Sequence, residues 1–498
     1  MKNVLIGIDI GTSSCKVAAF DRCGKVLGSA SASYPVAYPH AGWAEQDPAD
    51  WWEGVCRALR ALWQGADFAP SSVAAVSVDG QSWSAVALDA AGEVLCPTPI
   101  WMDTRAGEIC ARLEREMGEE LFALSGNALS PTYTTGKVIW LREHHPELFA
   151  RARWILGSNG YIVYRLSGAV TQDRSQGYGW HCYDMRRGVW QEETAERMGI
   201  PARLLPPIVP CDRVVGEVTA EAARSTGLAA GTPVVAGGLD AACATLGAGV
   251  IEAGQTQEQG GQAGGMSICM DGVCADRRLI LGAHAVPGRW LLQGGTVGGG
   301  GVLRWLEREL GEVERERAAS TGVSSFDQLT ALAAAVPAGS DGLVFLPYMA
   351  GERTPLWDPD AKGIFYGLDF SKTRGHLIRA GLEGVAFSLR HNLEVAEQAG
   401  AYVGELCATG GAANSPLWTQ IKADVTGKTI VVPASDTATT WGAAILGGIG
   451  VGLFASYGEA VRGSVRHVRR HEPNAALSEV YAERYRTYLK LYPATRGV

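Results

Sequence analysis

Two aspartates stand where strand-like runs end. Asp9 lies near the close of the apolar run 4–10 and is followed by Gly11-Thr12-Ser13-Ser14. Small residues let main-chain N–H groups approach a ligand, and hydroxyls add donors, so such a turn can wrap a phosphate. The carboxylate beside it can hold Mg2+, usually through water, because magnesium takes few protein ligands beside nucleotide phosphates. An ordinary strand end with an Asp cap fits the same residues equally well. The spacing is neither Walker A nor G-x-G-x-x-G, so the standard phosphate and dinucleotide loops are excluded. The second aspartate, Asp240, follows Pro233-Val234-Val235-Ala236-Gly237-Gly238-Leu239 and precedes an Ala-rich stretch. A carboxylate between an apolar strand and an apolar helix is costly unless it is used or caps the helix. A general base is preferred over a plain N-cap.

Glycines gather in two further runs, 260–265 and 294–301, without low-complexity flanks. Either a ligand lies against the backbone there or chain segments pack closely. For the first run, phosphate or nucleotide contact is the better explanation. Gly410-Gly411-Ala412-Ala413-Asn414 forms a strand-to-helix turn small enough for a flat ring to lie over it, with Asn414 as a polar handle. A plain tight turn accounts for it equally well. Gln81-Ser82-Trp83 and Trp101-Met102-Asp103-Thr104-Arg105 combine ring faces that stack on sugar C–H groups with side chains that bind hydroxyls. Core packing competes for each tryptophan, since there are 15 in the chain, but the set points to a polyol pocket. The nine histidines have no partners at ligand spacing, and no Ser/His/Asp order can be argued.

The elements that must position these residues alternate. The runs 4–10, 16–20, 26–34 and 73–78 read as strands, and 51–63 as an amphipathic helix, giving β-β-β-α-β. A second series after residue 252 repeats the theme: a glycine-rich pair, helix 302–310, strand 343–346, helix 377–398, strand 405–408 and a small-residue helix 440–453. The two halves are similar only in outline, which points to a duplicated α/β architecture with a cleft and a linker near 248–254. A length of 498 residues allows two to four domains with a sizeable core. Apolar residues at 47% and charged residues at 19% exclude disorder. A net charge of −8 argues against nucleic acid or an anionic membrane as partner. The basic cluster Arg466, His467, Arg469, Arg470, His471 reads as a solvated face. Eleven scattered cysteines without CxxC spacing read as reduced thiols. No membrane span and no signal peptide are expected, and the expected compartment is the cytoplasm.

Taken together, the motifs resemble the FGGY family of carbohydrate kinases, and within it are most similar to the xylulokinases. The resemblance runs from Val4 to about Phe454. It rests on Ile8-Asp9-Ile10-Gly11-Thr12-Ser13, Trp43-Ala44-Glu45-Gln46-Asp47-Pro48 with Trp51-Trp52, Lys137-Val138-Ile139-Trp140-Leu141, and Gly237-Gly238-Leu239-Asp240. It continues through Leu346-Pro347-Tyr348-Met349-Ala350-Gly351-Glu352-Arg353-Thr354-Pro355, Gly363-Ile364-Phe365-Tyr366-Gly367-Leu368 and Gly410-Gly411-Ala412-Ala413-Asn414. It implies an actin-like ATPase fold of two ribonuclease-H-like domains around a central cleft. Residues 1–250 would bind the sugar and 251–498 the nucleotide.

The implied reaction is ATP-dependent phosphorylation of a sugar hydroxyl, most nearly a pentulose such as D-xylulose. Asp240 would be the base, and Asp9 and Asp240 would lie at Mg2+. Gln81, Ser82, Trp83, Trp101, Asp103 and Asp240 would meet the sugar. Gly11, Thr12, Ser13, Lys16, Gly261, Gln262, Gly410, Gly411, Ala412 and Asn414 would meet ATP. Family enzymes are often dimers, so a homodimer is a possible assembly. Three departures stand out. Ser82-Trp83-Ser84 replaces the usual Met-His-Gly, which puts xylulose itself in question and leaves another ketose, gluconate or a pentitol as alternatives. Gly261-Gln262-Ala263-Gly264 replaces Gly-Thr-Ser-Gly, which keeps a non-catalytic sugar or nucleotide sensor in view. Gly381 replaces a larger residue, a change in packing.

Overall fold

The computed structural model describes residues 2–435 and 437–497. Two mixed sheets carry the fold. The first uses β1 (Val4–Ile10), β2 (Ser14–Phe20), β3 (Val26–Ser33), β4 (Val73–Gly80), β5 (Val214–Glu217) and β6 (Pro233–Leu239). The second uses β7 (Thr256–Gly260), β8 (Gly264–Met270), β9 (Ile280–Ala283), β10 (Trp290–Thr296), β11 (Leu406–Thr409), β12 (Ile430–Pro433) and β13 (His467–His471). The helices needed below are α1 (Pro48–Gln64), α2 (Thr134–His144), α3 (Asp240–Gly247), α4 (Gly300–Leu310), α5 (Arg374–Gln398) and α6 (Ala438–Gly450).

The sheet orders are β5-β6-β4-β1-β2-β3 and β9-β10-β8-β7-β11-β12-β13. In the first, β1 pairs antiparallel with β2 and parallel with β4, and β4 pairs parallel with β6. In the second, β7 pairs antiparallel with β8 and parallel with β11, and β11 pairs parallel with β12. The same core, three antiparallel strands flanked by two parallel ones, therefore occurs twice. Each central strand, β1 or β7, ends in a glycine-containing turn, 11–14 or 261–263. Every residue of β1 is buried. A strand covered on both faces needs a continuous apolar run, and Val-Leu-Ile-Gly-Ile-Asp-Ile supplies one broken only by Asp9 near its end.

The expected boundary at 250/251 falls in the turn region between α3 and β7. The chain later returns to the first half: α6 packs across β1, β4 and α3. Glycines permit that approach. A Cβ added to Gly7 would sit 2.0 Å from the Thr440 carbonyl oxygen, and one on Gly442 would sit 1.8 Å from the Cys243 carbonyl oxygen. The α6 helix spans 438–450, not 440–453, because its last apolar residues turn back onto its own final carbonyls, with Leu453 N–H on Gly448 O at 2.8 Å. Gly294 and Gly295, from the second glycine run, lie inside β10. Gly298–301 are explained by packing: a Cβ on Gly299 or Gly300 would come within 2.2 Å of Ala263 C or 2.5 Å of Gly261 O. Among the described residues no helix is long and apolar enough to cross a membrane.

Candidate active site

Three carboxylates meet at the ends of β1, β4 and β6. Parallel register sets Asp9 opposite Asp79, and Asp79 opposite Gly238, so Asp240 follows two residues beyond on the neighbouring strand. Gly237 makes this possible. Its φ is +71°, and a Cβ there would sit 1.8 Å from the Val78 carbonyl oxygen. Only glycine lets β6 kink against β4 and deliver Asp240 to the cleft. Asp240 opens α3, with Leu239 at the cap position, and its own Oδ1 accepts the Ala241 N–H at 2.6 Å.

Burial raises the proton affinity of all three acids, and the neighbouring carboxylates raise that of Asp79 and Asp240 further. Asp79 is fully buried, and neither of its oxygens has a hydrogen-bond partner. Burial pushes its pKa well above the carboxylate range, and the charges of Asp9 and Asp240 push it further. Burial also raises Asp9, while Lys16, 3.9 Å away, pulls it down. Burial and the Asp9 charge push Asp240 up to about 7, with the Ala241 N–H opposing. Two adjacent carboxylates with free oxygens fit a divalent cation, which would let both ionise. Among the described residues no three His, Cys, Asp or Glu form a complete metal cage. That suits Mg2+, which completes its shell with phosphate and water.

The turn after Asp9, expected to meet phosphate, is tied to Trp101 and Gln46, the first of which is expected to meet the sugar. Trp101 Nε1 donates to Thr12 Oγ1 at 2.9 Å, and Gln46 Nε2 donates to the Thr12 carbonyl at 2.8 Å. Ser13 and Lys16 stay exposed. Gln81 is buried and donates to Gln46 Oε1 at 2.8 Å, so it braces the turn from below. Tyr178 donates to Ser82 Oγ at 2.9 Å. Trp83 sits at φ +57°, its ring 4.2 Å from that of Tyr133 and 5.5 Å from that of Tyr178. Trp83 and Trp101 line a cavity of about 710 Å³ whose opposite wall includes Ile280, Glu352 and Arg353 from the second half. Asp103 does not reach it. Its buried carboxylate is taken by Arg105 at 2.7–3.0 Å and by the Ala44 N–H at 2.7 Å. Arg105 in turn pairs with Glu45 at 2.7 Å and covers the Trp43 ring. Asp103 thus braces the loop that carries Trp101 and has no lone pair left for a sugar hydroxyl.

On the other side, Gly261, Gln262, Gly411, Ala412 and Asn414 line one cavity of about 370 Å³ with Gly300, Arg304 and Trp418. Gly410, at φ +81°, lies so close to Gly260 that a Cβ would be 2.9 Å from its carbonyl oxygen. The two expected nucleotide segments therefore face one space.

Asp79, Lys137, Tyr178 and Arg353 were not assigned from the sequence. Asp79-Gly80 repeats the strand-end pattern of Asp9 and could have been found. Lys137 is fully buried in α2, and its Nζ donates to the carbonyls of Trp83 (2.9 Å), Ile100 (2.7 Å) and Thr132 (2.6 Å). A lysine among Gly136, Val138 and Ile139 was the available signal. Glu352 accepts the Val297 and Arg353 N–H groups, each at 2.8 Å, and burial pushes it up to about 7.

Residues 4–247 match the N-terminal domain of the FGGY family of carbohydrate kinases, and 272–451 its C-terminal domain. A xylulose kinase of Bacillus subtilis is 30% identical, covering 99% of this chain and 97% of its own. A gluconokinase of the same organism is 31% identical, covering 99% and 95%. The crystal structure of a xylulose kinase from Rhodospirillum rubrum superposes with a TM-score of 0.89 at 35% identity, covering 99% and 98%. The repeated sheets and the cleft are those of the actin-like ATPase fold, and the chain belongs to the FGGY family of carbohydrate kinases.

Proposed function

We propose that this sugar kinase moves the γ-phosphoryl group of ATP to a hydroxyl of a pentulose or close relative, with D-xylulose the nearest candidate and Asp240 the general base. One observation carries the assignment of the base: Asp240 alone of the three strand-end acids opens a helix at the cleft, with a pKa of about 7. A base poised near neutrality takes a hydroxyl proton most effectively. In the step, the sugar oxygen bonds the γ-phosphorus, the bond from that phosphorus to the bridging oxygen breaks, ADP leaves, and the proton passes to Asp240. Such base catalysis contributes about 10²–10⁴-fold.

Asp9 and Asp79 would hold Mg2+, which when bound supplies charge neutralisation on the phosphates. Ser13 and Lys16 are open to the phosphates, and Gly261, Gln262, Gly411, Ala412 and Asn414 line the space for the nucleoside. Asp240, whose carboxylate feels the charge of Asp9, would stand beside the Asp9–Asp79 pair at the metal. Trp83, Trp101 and Ser82 would meet the sugar, with Gln81 and Asp103 bracing from behind. Eleven free cysteines agree with a cytoplasmic setting.

The Trp83 ring, packed at a tilt against those of Tyr133 and Tyr178, favours a second reading of the acceptor: another ketose, a pentitol or an aldonate such as gluconate. ADP release with Mg·ATP across pentuloses, hexuloses, pentitols, gluconate and glycerol separates the two. Stimulation by xylulose above all others supports the first, and stimulation by gluconate or a pentitol the second. Asp240→Asn should lower turnover at least about 10²-fold with ATP binding intact. A rate near that of the native enzyme removes Asp240 as base.

A further inference from the structure

Arg353 is a cation without an anion. Among the described residues no carboxylate lies within 4.0 Å of its guanidinium, and the guanidinium makes no hydrogen bond, although its own backbone N–H is held by Glu352. Burial is the largest influence on it and disfavours its charge, while the more distant Glu352 and Tyr178 favour it. Guanidinium does not shed its proton in proteins, and this one is half-buried with no anion paired to it among the described residues, so its fork of donors is open to an oxyanion.

Its surroundings say which. The guanidinium lies 5.8 Å from the centre of the Trp101 ring, whose Nε1 holds Thr12 of the phosphate turn. A Cβ on Gly295 would be 3.0 Å from its Nη2, so the absence of a side chain there leaves the guanidinium its room. Gly295 pairs directly with Gly265, one residue past the 261–264 segment that borders the nucleotide space. Toward the first half, Arg353 lines the cavity shared with Trp83 and Trp101, and both its charge and that of Asp240 act on the Tyr178 hydroxyl. Arg353 therefore stands between the cavity lined by Trp83 and Trp101 and the strand that borders the 261–264 segment.

We propose that Arg353 is a catalytic residue whose guanidinium binds the oxygens of the phosphoryl group in transfer. This rests on the phosphoryl-transfer reaction above but not on which sugar accepts. Charge spreads over three equatorial oxygens during transfer, and a planar fork of donors suits two of them. Arg353 gains and loses no atoms in the step; the oxygens it holds, with their charge, leave on the phosphorylated sugar.

The test compares Arg353→Gln and Arg353→Lys with the native chain in two assays, with circular dichroism to establish folding. Turnover at saturating sugar and Mg·ATP should fall about 10²–10³-fold in Arg353→Gln, with the sugar KM within threefold. Arg353→Lys should lie between, and added guanidinium ion should restore part of the lost rate to Arg353→Gln. Calorimetry without sugar is the second arm: the native preference for a non-hydrolysable ATP analogue over Mg·ADP should shrink about tenfold in Arg353→Gln. Turnover within threefold of native overturns the proposal. So does a loss confined to the sugar KM, or confined to acidic sugars, either of which would make Arg353 a sugar ligand. Should no sugar stimulate the native chain, the kinase acceptor reading fails, while the calorimetric arm still decides on Arg353.

Discussion

The crossing of α3 and α6 sets where Asp240 stands, and it can be perturbed at a single atom. A methyl group on Gly442 would lie 1.8 Å from the Cys243 carbonyl oxygen and 2.6 Å from its carbon. Relieving that contact to roughly 3.4 Å requires the helices to part by about 1.6 Å, since ordinary contacts begin only there. Cys243 is on the same short helix as Asp240, three residues away, so the base moves with it. Gly442→Ala should therefore destabilise by about 1–3 kcal/mol through overpacking. At roughly 2–4 °C per kcal/mol, the thermal midpoint should fall by several degrees. A misplacement near 1 Å costs about 10²-fold in rate, so kcat should drop by that order even where the protein remains folded. Gly247→Ala, with its Cβ 1.8 Å from the Ala438 carbonyl oxygen, should behave alike. Gly447→Ala on the same helix is the control: its Cβ would meet Ala75 at 3.5 Å, an ordinary contact. Sugar-dependent ADP release and thermal unfolding read both effects. If Gly442→Ala matches Gly447→Ala in both, the tight crossing does not position the base and the argument fails.

Three further outcomes are expected. With Asp240 as the proposed base, active when ionised and pushed up to about 7, kcat/KM should climb tenfold per pH unit up to about pH 7 and then level off; a limb near pH 4 would contradict the burial and Asp9 repulsion that raise it. Asp79→Asn removes a buried carboxylate with no partner, so the fold should hold or gain stability while the Mg2+ concentration for half-maximal activity rises; an unchanged Mg2+ titration would separate Asp79 from the metal. Lys137→Met frees the carbonyls of Trp83, Ile100 and Thr132, so the sugar KM should rise at least about tenfold with the ATP KM unchanged, as steady-state kinetics would show. Burial lowers Lys137 from 10.5 to about 7, so above pH 7 the unfolded chain binds more protons than the folded one. The native chain should therefore gain stability over Lys137→Met as pH rises from 7 toward 10.5.

The sequence by itself determined the elements and the chemistry at their ends. The run of β1 had to be a strand covered on both faces, and the small residues after Asp9 and at 410–413 had to be turns, because apolar periodicity and glycine are local signals. Motif order then carried the family and the two-halved fold. Pairing was not local. That Asp79 stands opposite Asp9 depends on the register of strands more than sixty residues apart, and the duplicated sheet order emerges only when hydrogen-bond partners are known. Asp103 looked like a sugar ligand from its neighbours in sequence. Only the fold brings Ala44 to it and turns Arg105 back onto it, so that its lone pairs are taken. The return of α6 to the first sheet, the three carbonyls gathered on Lys137 and the solitary charge of Arg353 belong to the tertiary structure for the same reason. Burial and hydrogen-bond satisfaction are properties of what surrounds a side chain, and those surroundings come from distant parts of the chain.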